Sequence, residues 1–336
     1  MTRQSVGIVF GGANNEHEVS CSSARSVIGH LDPERFTALL LGIDRAGGWH
    51  RLATVDELAT AGAGAALPGF EDIDVVLPVL HGRFGEDGTV QGLLEIAGVP
   101  YVGNGVLASA LAMDKLMCQR VLASDGLPVI ETAAVTARTR AGAAERAESF
   151  GYPVFVKPNR AGSSVGASRV DSADQLDAAL DLALATDVTA LIQPVEVAAE
   201  IDVGVLQAPD DSLSVGAPLR VRTLGESAFF DYAAKYTPGG VDLEVPAQIS
   251  DELRGRLGDL AMDAFRSLGC EGLARVDCFV RDDESIRISE VNTMPGMTAL
   301  SQYPRMWQAE GVGYRELLGR LIERALVARP EGTARM

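Results

Sequence analysis

The alternation of apolar and polar positions predicts a buried strand over 5–10, a break at Gly11-Gly12, and a helix over 16–30 with Val19, Ser23, Val27 and Ile28 on one face. Apolar runs over 38–42 and 75–80, followed by helical spacing over 90–97, continue a strand–helix alternation that builds a parallel sheet. This first unit is expected to end within 101–104. The Ala- and Gly-rich stretch 59–69 predicts a loop; its glycines do not form GxGxxG, and it is assigned no function.

Helical periodicity resumes at Val106 and runs through Leu122, until Gly126 and Pro128 interrupt it. Residues 152–156 read as a short strand entering a glycine-rich segment, and Ser172 with Gln175 has the spacing of a capping box ahead of Leu176, Ala179, Leu180 and Ala183. Further strands are expected over 190–193, 200–206 and 213–219, then a loop over 229–236. A long helix starts at Ser250, carries the stripe Leu253, Leu257, Leu260, Ala261, Ala264 and Leu268, and stops at Gly269. No internal repeat is found.

A length of 336 residues exceeds what one core usually organises, so two or three domains are expected. Against 46 Asp and Glu stand 29 Lys and Arg, a formal charge of −17, which argues against nucleic acid or an anionic membrane as partner and leaves small molecules. No apolar run approaches the ~20 residues of a membrane helix, and no basic start precedes an apolar stretch, so a cytoplasmic protein is expected. Cys21, Cys118, Cys270 and Cys278 form no CxxC pair and have no His at zinc spacing; they read as reduced core thiols. Only three of the 29 basic residues are lysines, Lys115, Lys157 and Lys235, and each lies in a segment of interest on other grounds. A lysine is a compact charge on a flexible stem, suited to phosphate oxygens.

Five segments carry candidate chemistry. Residues 157–166, Lys-Pro-Asn-Arg-Ala-Gly-Ser-Ser-Val-Gly, follow a strand and can turn backbone N–H groups and the hydroxyls of Ser163 and Ser164 toward phosphate, or form an ordinary hairpin loop. They are not a Walker A loop, because no lysine here follows glycine. Leu273-Ala-Arg-Val-Asp277, a polar turn, and Ile286 through Asn292 predict a hairpin in which Arg275 and Asp277 share a face of one strand, and Glu290 and Asn292 a face of the other. Two carboxylates and an amide oxygen without His or Cys are hard donors suited to Mg²⁺ on nucleotide phosphates; the competing reading is a charged hairpin facing water. Thr293-Met-Pro-Gly296-Met-Thr298 is a tight turn whose Gly296 N–H can face an oxyanion, with Arg275 as second donor. Glu16 and Glu18 fall at the start of a helix, and His81-Gly-Arg-Phe-Gly-Glu-Asp-Gly88 follows a strand at the sheet edge where open α/β folds bind ligands. His30 and His50 are expected at the surface. His17 is assigned neither role.

Taken in order, Gly11-Gly12 with Glu16-His-Glu-Val-Ser20, His81-Gly-Arg with Gly85-Glu-Asp-Gly88, Met113-Asp-Lys115, Lys157-Pro with Gly162-Ser-Ser-Val-Gly166, Asp231-Tyr with Lys235-Tyr236, Arg275-Val-Asp277, and Glu290-Val-Asn-Thr with Pro295-Gly-Met-Thr298 resemble D-alanine:D-alanine ligases of the ATP-grasp superfamily. The resemblance spans nearly the whole chain, and all three lysines fall on lysines of the family's motifs. It implies an α/β (α+β) three-domain ATP-grasp fold: an open parallel-sheet substrate domain over 1–104, a lid subdomain over 105–194 and a catalytic subdomain over 195–336. The implied reaction is ATP-dependent joining of two D-alanines through D-alanyl phosphate, for peptidoglycan precursors. The resemblance assigns Lys115, Lys157, Ser163, Ser164, Gln193, Pro194, Glu196, Glu200 and Lys235 to ATP, with Glu200 on the ribose. It assigns Asp277, Glu290 and Asn292 to two Mg²⁺ ions, for which Mn²⁺ could substitute. Arg275 and Gly296 would hold the oxyanion, Glu16 the first ammonium, and Ser163 would link Glu16 to Tyr236 on a loop that closes over the site; His81 borders the first substrate, and Ser301 and Gln302 the second. A homodimer is implied as well.

Two departures from the family pattern stand out. Gln193-Pro194 replaces a Glu-Glu or Glu-Lys pair at the adenine edge, where Gln can still accept a hydrogen bond and Pro194 keeps its carbonyl. Gln302 replaces an apolar residue beside the second substrate, which makes D-serine, and less so D-lactate or another amino acid, the alternative acceptor, in a resistance or biosynthetic ligase. A catalytically dead ATP-binding module would lack some phosphate or metal ligands, and a nicotinamide dehydrogenase would need GxGxxG in the first βα unit.

Overall fold

The computed structural model describes residues 3–162, 164–223 and 241–328. Ser163, Lys235, Tyr236 and the whole 229–236 loop therefore lie outside the described residues.

The first sheet comprises β1 (Gln4–Gly11), β2 (Phe36–Ile43), β3 (Trp49–Leu52) and β4 (Val75–Pro78), in the order β3-β2-β1-β4. β1 runs parallel to β2 on one side and β4 on the other, while β3 is antiparallel to β2. A strand covered on both faces needs an uninterrupted apolar run, and β1 is buried from Val6 through Gly11. The chain leaves β1 toward β2 and returns with β4 on the other side, so the crevice at their C-terminal ends is a topological switch point. Gly11, at φ +92°, closes that end: a Cβ there would lie 2.2 Å from the Ile43 carbonyl oxygen. Helices α1 (His17–His30) and α2 (Thr89–Ile96) follow the two strands.

Helices α3 (Val106–Met113) and α4 (Lys115–Ser124) replace the single helix that periodicity predicted. Asp114 is extended and caps α4, accepting the Met117 N–H at 3.1 Å, a local bond that competes with helix continuation. The second sheet, β5 (Ala133–Thr136), β6 (Val154–Pro158), β7 (Ser168–Val170) and β8 (Thr189–Pro194), is antiparallel in the order β5-β8-β6-β7. It packs on α5 (Ala143–Phe150) and α6 (Leu176–Thr186). The predicted capping box does not form. Gln175 accepts the Asp171 N–H at 2.8 Å, Ser172 donates to Asp174, and a 3₁₀ turn over Ala173–Gln175 precedes α6.

The third sheet holds β9 (Ala199–Gln207), β10 (Leu213–Val215), β11 (Leu219–Thr223), β12 (Val241–Glu244), β13 (Leu273–Val280) and β14 (Ile286–Asn292). Its path is β12-β11-β9-β13-β14, with β10 also on β9, antiparallel throughout. The strand expected over 213–219 is two strands, divided at Gly216-Ala-Pro218, where proline has no N–H for a ladder. Helix α7 (Asp251–Ser267) starts as expected: Ser250 accepts the Leu253 N–H, and Leu253, Leu257, Ala261, Ala264 and Phe265 are buried. Helices α8 (Gln302–Ala309) and α9 (Tyr314–Val327) complete the described chain.

Packing crosses the sequence order. Ala108, Cys118 and Leu122 of α3 and α4 share a core with β13, β14 and α7, while Leu317, Leu318, Leu321 and Ile322 of α9 pack with Val6, Ile8, Val75 and Leu77 of the first sheet. Asn104 joins these regions: its Nδ2 donates to the carbonyls of Leu273 and Thr293, and its Oδ1 accepts the Glu271 N–H. The four cysteines are buried thiols. His30 is exposed as expected, but His50 is half-buried with Nε2 2.7 Å from Asp44, because the turn after β2 folds over it; His17 is buried against the Gly12 carbonyl.

Candidate active site

Two adjoining cavities lie where the sheets meet. The larger, about 570 Å³, brings Glu16, His81, Lys115, Arg275, Asp277, Glu290, Asn292, Gly296, Ser301 and Gln302 together. The second, about 310 Å³, is lined by Lys157, Ser164, Gln193, Pro194 and Glu196. Lys115, Ala161, Gly162, Glu200 and Glu290 line both, so the two form one continuous site.

The switch point supplies the first group. Glu16 stands at the N-terminus of α1, its N–H held by Asn14 Oδ1 at 2.9 Å, and Asn14 Nδ2 donates to the carbonyls of His81 and Arg83, tying the two crevice loops together. A Cβ on Gly82, at φ +68°, would fall 2.2 Å from Glu16 Oε2, so only glycine lets the carboxylate come this close. His81 is buried, with Nε2 3.1 Å from Ser23 Oγ and Nδ1 3.4 Å from Glu86 Oε1. Burial opposes its protonation, but Glu86 and Glu16 outweigh that effect and raise the imidazole above its usual 6.5. Burial also raises the Glu86 carboxyl, and His81 offsets this only in part.

The third sheet supplies the second group. Asp277 lies opposite Asp202 on β9 and Glu290 on β14, and Arg275 lies opposite Asn292, so three carboxylates form a row across neighbouring strands. Like charges at this spacing repel; here cations sit among them. Arg275 grips Asp277 through two bonds, Nε–Oδ1 at 2.6 Å and Nη2–Oδ2 at 2.7 Å, and lies 3.9 Å from Asp202. Burial alone would lower its pKa, but the Asp277 charge raises it further above an already high value. Asn292 Nδ2 donates to Asp277 Oδ2 at 2.9 Å, and Lys115 Nζ lies 3.3 Å from Glu290 and 2.9 Å from the Ala161 carbonyl. Gly296 faces Ser301, whose Oγ accepts the Thr298 N–H, and Gln302 Nε2 donates to Asp202 Oδ2 at 2.9 Å.

The glycine-rich segment connects the cavities. Lys157 is the last residue but one of β6, Ser164 adopts φ 58°, and a Cβ on Gly162 would lie 3.5 Å from both Glu16 oxygens. Glu196 is held by Arg281 at 2.8 and 3.0 Å. Glu86 and Asp202, in contact with His81 and Gln302, carry no role in the sequence reading. Glu86 lies within the quoted Gly85-Glu-Asp-Gly88 motif. Asp202, fully buried, shares the period-two face of β9 with Glu200, and an acid inside the apolar run 201–206 was its signal.

A parallel-sheet domain joined to two antiparallel sheets that enclose a site of lysines, a buried arginine and paired carboxylates defines an ATP-grasp enzyme. The D-ala D-ala ligase N-terminus family model matches residues 5–104 and the D-ala D-ala ligase C-terminus model residues 121–323. The D-alanine–D-alanine ligase of Corynebacterium aurimucosum is 45% identical, over 96% of this chain and 97% of its own. Among solved structures, the VanG D-Ala:D-Ser ligase from Enterococcus faecalis superposes with TM-score 0.84 at 31% identity, covering 96% of this chain and 100% of that one; the D-alanine-D-alanine ligase from Coxiella burnetii gives 0.85 at 27%, covering 97% and 94%. The chain belongs to the D-alanine–D-alanine ligase family.

Proposed function

We propose that this enzyme joins two D-alanines to D-alanyl-D-alanine with hydrolysis of ATP to ADP and phosphate, for peptidoglycan precursor synthesis in the cytoplasm. The observation that carries the reading is the continuity of the two cavities through Lys115, Glu200 and Glu290, with Arg275 and Asp277 beside that junction. Nucleotide in one cavity and amino acids in the other would meet there.

In this reading Glu16 receives the ammonium of the first D-alanine, with His81 beside it. A carboxylate oxygen of that D-alanine attacks the γ-phosphorus, ADP leaves, and the acyl phosphate forms. Phosphoryl transfer between anions needs positioned positive charge, which Lys115 and Lys157 supply, joined by Lys235 as the family resemblance implies. The amine of the second D-alanine, bordered by Ser301 and Gln302, then attacks the acyl carbon. Arg275 and the Gly296 N–H stabilise the tetrahedral oxyanion until phosphate leaves. Ser163 and Tyr236 complete the link from Glu16 to the closing loop, which keeps water from the acyl phosphate.

The donor set suits Mg²⁺. Six carboxylates line the larger cavity against Lys115, Arg275 and His81, an excess of negative charge among the described residues. No three His, Cys, Asp or Glu groups converge as a metal site among those residues, but Mg²⁺ commonly takes one or two carboxylates plus phosphate oxygens. Asp277, Glu290 and Asn292 would hold it, two ions or Mn²⁺ in its place, and bound there it would neutralise phosphate charge.

The division into 1–104, 105–194 and 195–336 stays part of this proposal, with α3 and α4 packed on the third sheet rather than on the second. No helix among the described residues is long and apolar enough to cross a membrane. The exposed Ile96 and Leu107, on neighbouring α2 and α3, support assembly as a homodimer. Gln302 leaves D-serine as the competing acceptor, although its amide N–H is engaged by Asp202.

Isotope transfer tests the intermediate. With ¹⁸O in the D-alanine carboxylate, one labelled oxygen should appear in phosphate for each dipeptide formed; unlabelled phosphate alongside dipeptide would rule out the acyl phosphate.

A further inference from the structure

Gln193 is buried at 3% exposure on the wall of the second cavity, opposite Phe155 on β6. Unlike Lys115, Glu200 and Glu290, it does not line the first cavity, so it belongs to the part away from the junction, where Ile130, Phe155, Pro194 and Phe279 make the walls apolar. If the phosphates lie at the lysines, as in the function proposed above, the base lies here, and the inference rests on that reading.

The amide of Gln193 takes its orientation from the hydrogen-bond network around it. Thr132 Oγ1 lies 3.0 Å from the Ile130 carbonyl and also contacts Gln119 Oε1. Gln119 turns its Nε2 to the Ser289 carbonyl at 3.5 Å, and a carbonyl cannot donate, so Oε1 is the end facing Thr132. The single Thr132 proton therefore goes to an oxygen on either side, leaving the Thr132 lone pairs for Gln193. Gln193 Nε2 donates there at 2.7 Å and approaches Gln119 Oε1 at 3.4 Å. Its Oε1, the other end of the amide, receives no hydrogen bond from the described residues.

We propose that Thr132 and Gln119 are positioning residues for nucleotide selection: they lock Gln193 so that an acceptor faces the base edge, favouring a 6-aminopurine over a 6-oxopurine nucleotide. A carboxylate would accept through either oxygen. A glutamine accepts only if something fixes its direction, and this relay does so from β5's approach and α4.

The test compares kcat/KM for ATP and ITP. The wild type should prefer ATP, and Thr132→Val should shrink that preference by about tenfold, mainly through the nucleotide KM, because the freed amide can turn Nε2 toward a keto oxygen. Thr132→Ser, which keeps the hydroxyl, should restore the preference; a general packing defect would not be rescued in this ratio. Gln119→Met removes the other anchor and gives a second reading should Thr132→Val not fold. An unchanged ATP to ITP ratio in the anchor variants overturns the relay. A wild type that consumes no ATP with D-alanine overturns the ligase reading along with it.

Discussion

Glu16, His81 and Glu86 show how a single residue's setting fixes its chemistry. His81 is held between Ser23 and Glu86, and its raised pKa means that the folded protein holds a proton more tightly than the unfolded chain. The sign follows: its contribution to stability is full below 6.5 and is lost as pH rises through the higher folded value. Urea unfolding from about pH 6 to about pH 9 should show the advantage of wild type over His81→Gln shrinking with pH, and parallel curves would reject a charged His81. The sequence made Glu16 and His81 legible because each follows a strand in a polar, glycine-marked turn. Glu86 escaped assignment because its importance is a contact with His81, which no spacing rule expresses. Asp202 escaped for a related reason: its partners Arg275 and Gln302 come from β13 and α8, far along the chain.

At the scale of elements, α4 matters because its first residue is Lys115. Asp114 caps the helix, Asn159 Oδ1 accepts the Leu116 N–H at 2.9 Å, and together they aim Lys115 at Ala161 and Glu290. Asp114→Ala should cost about 1 kcal/mol of stability, measured by denaturant unfolding, and raise the KM for ATP severalfold. An unaltered KM would separate the cap from lysine placement. The break at Asp114 was hidden because α3 and α4 both carry apolar residues at helical spacing, and periodicity cannot register a change in helix direction. By contrast, β1, β13, β14 and α7 were legible, since one continuous run, one alternating hairpin and one capped stripe each permit a single reading. The strands β3, β5 and β7, of three or four residues, and helices α5, α8 and α9 went unassigned; the strands are too short for a period to emerge.

For the whole molecule, the sequence order of the units is not the order of their packing. Helix α9 covers the first sheet and α3 and α4 cover the third, so the site lies between parts that share cores across the chain. Family motifs indicated which residues converge, while the cross-packing that brings them together is a tertiary fact without a local signature. Two D-alanines and ATP should suffice for the reaction. The measurement is phosphate release from ATP and Mg²⁺ with D-alanine alone, then with D-serine or D-lactate added, each product identified by mass. One D-alanyl-D-alanine for each phosphate with D-alanine alone is the predicted result; phosphate without dipeptide, or product only when a different second acceptor is added, would contradict it.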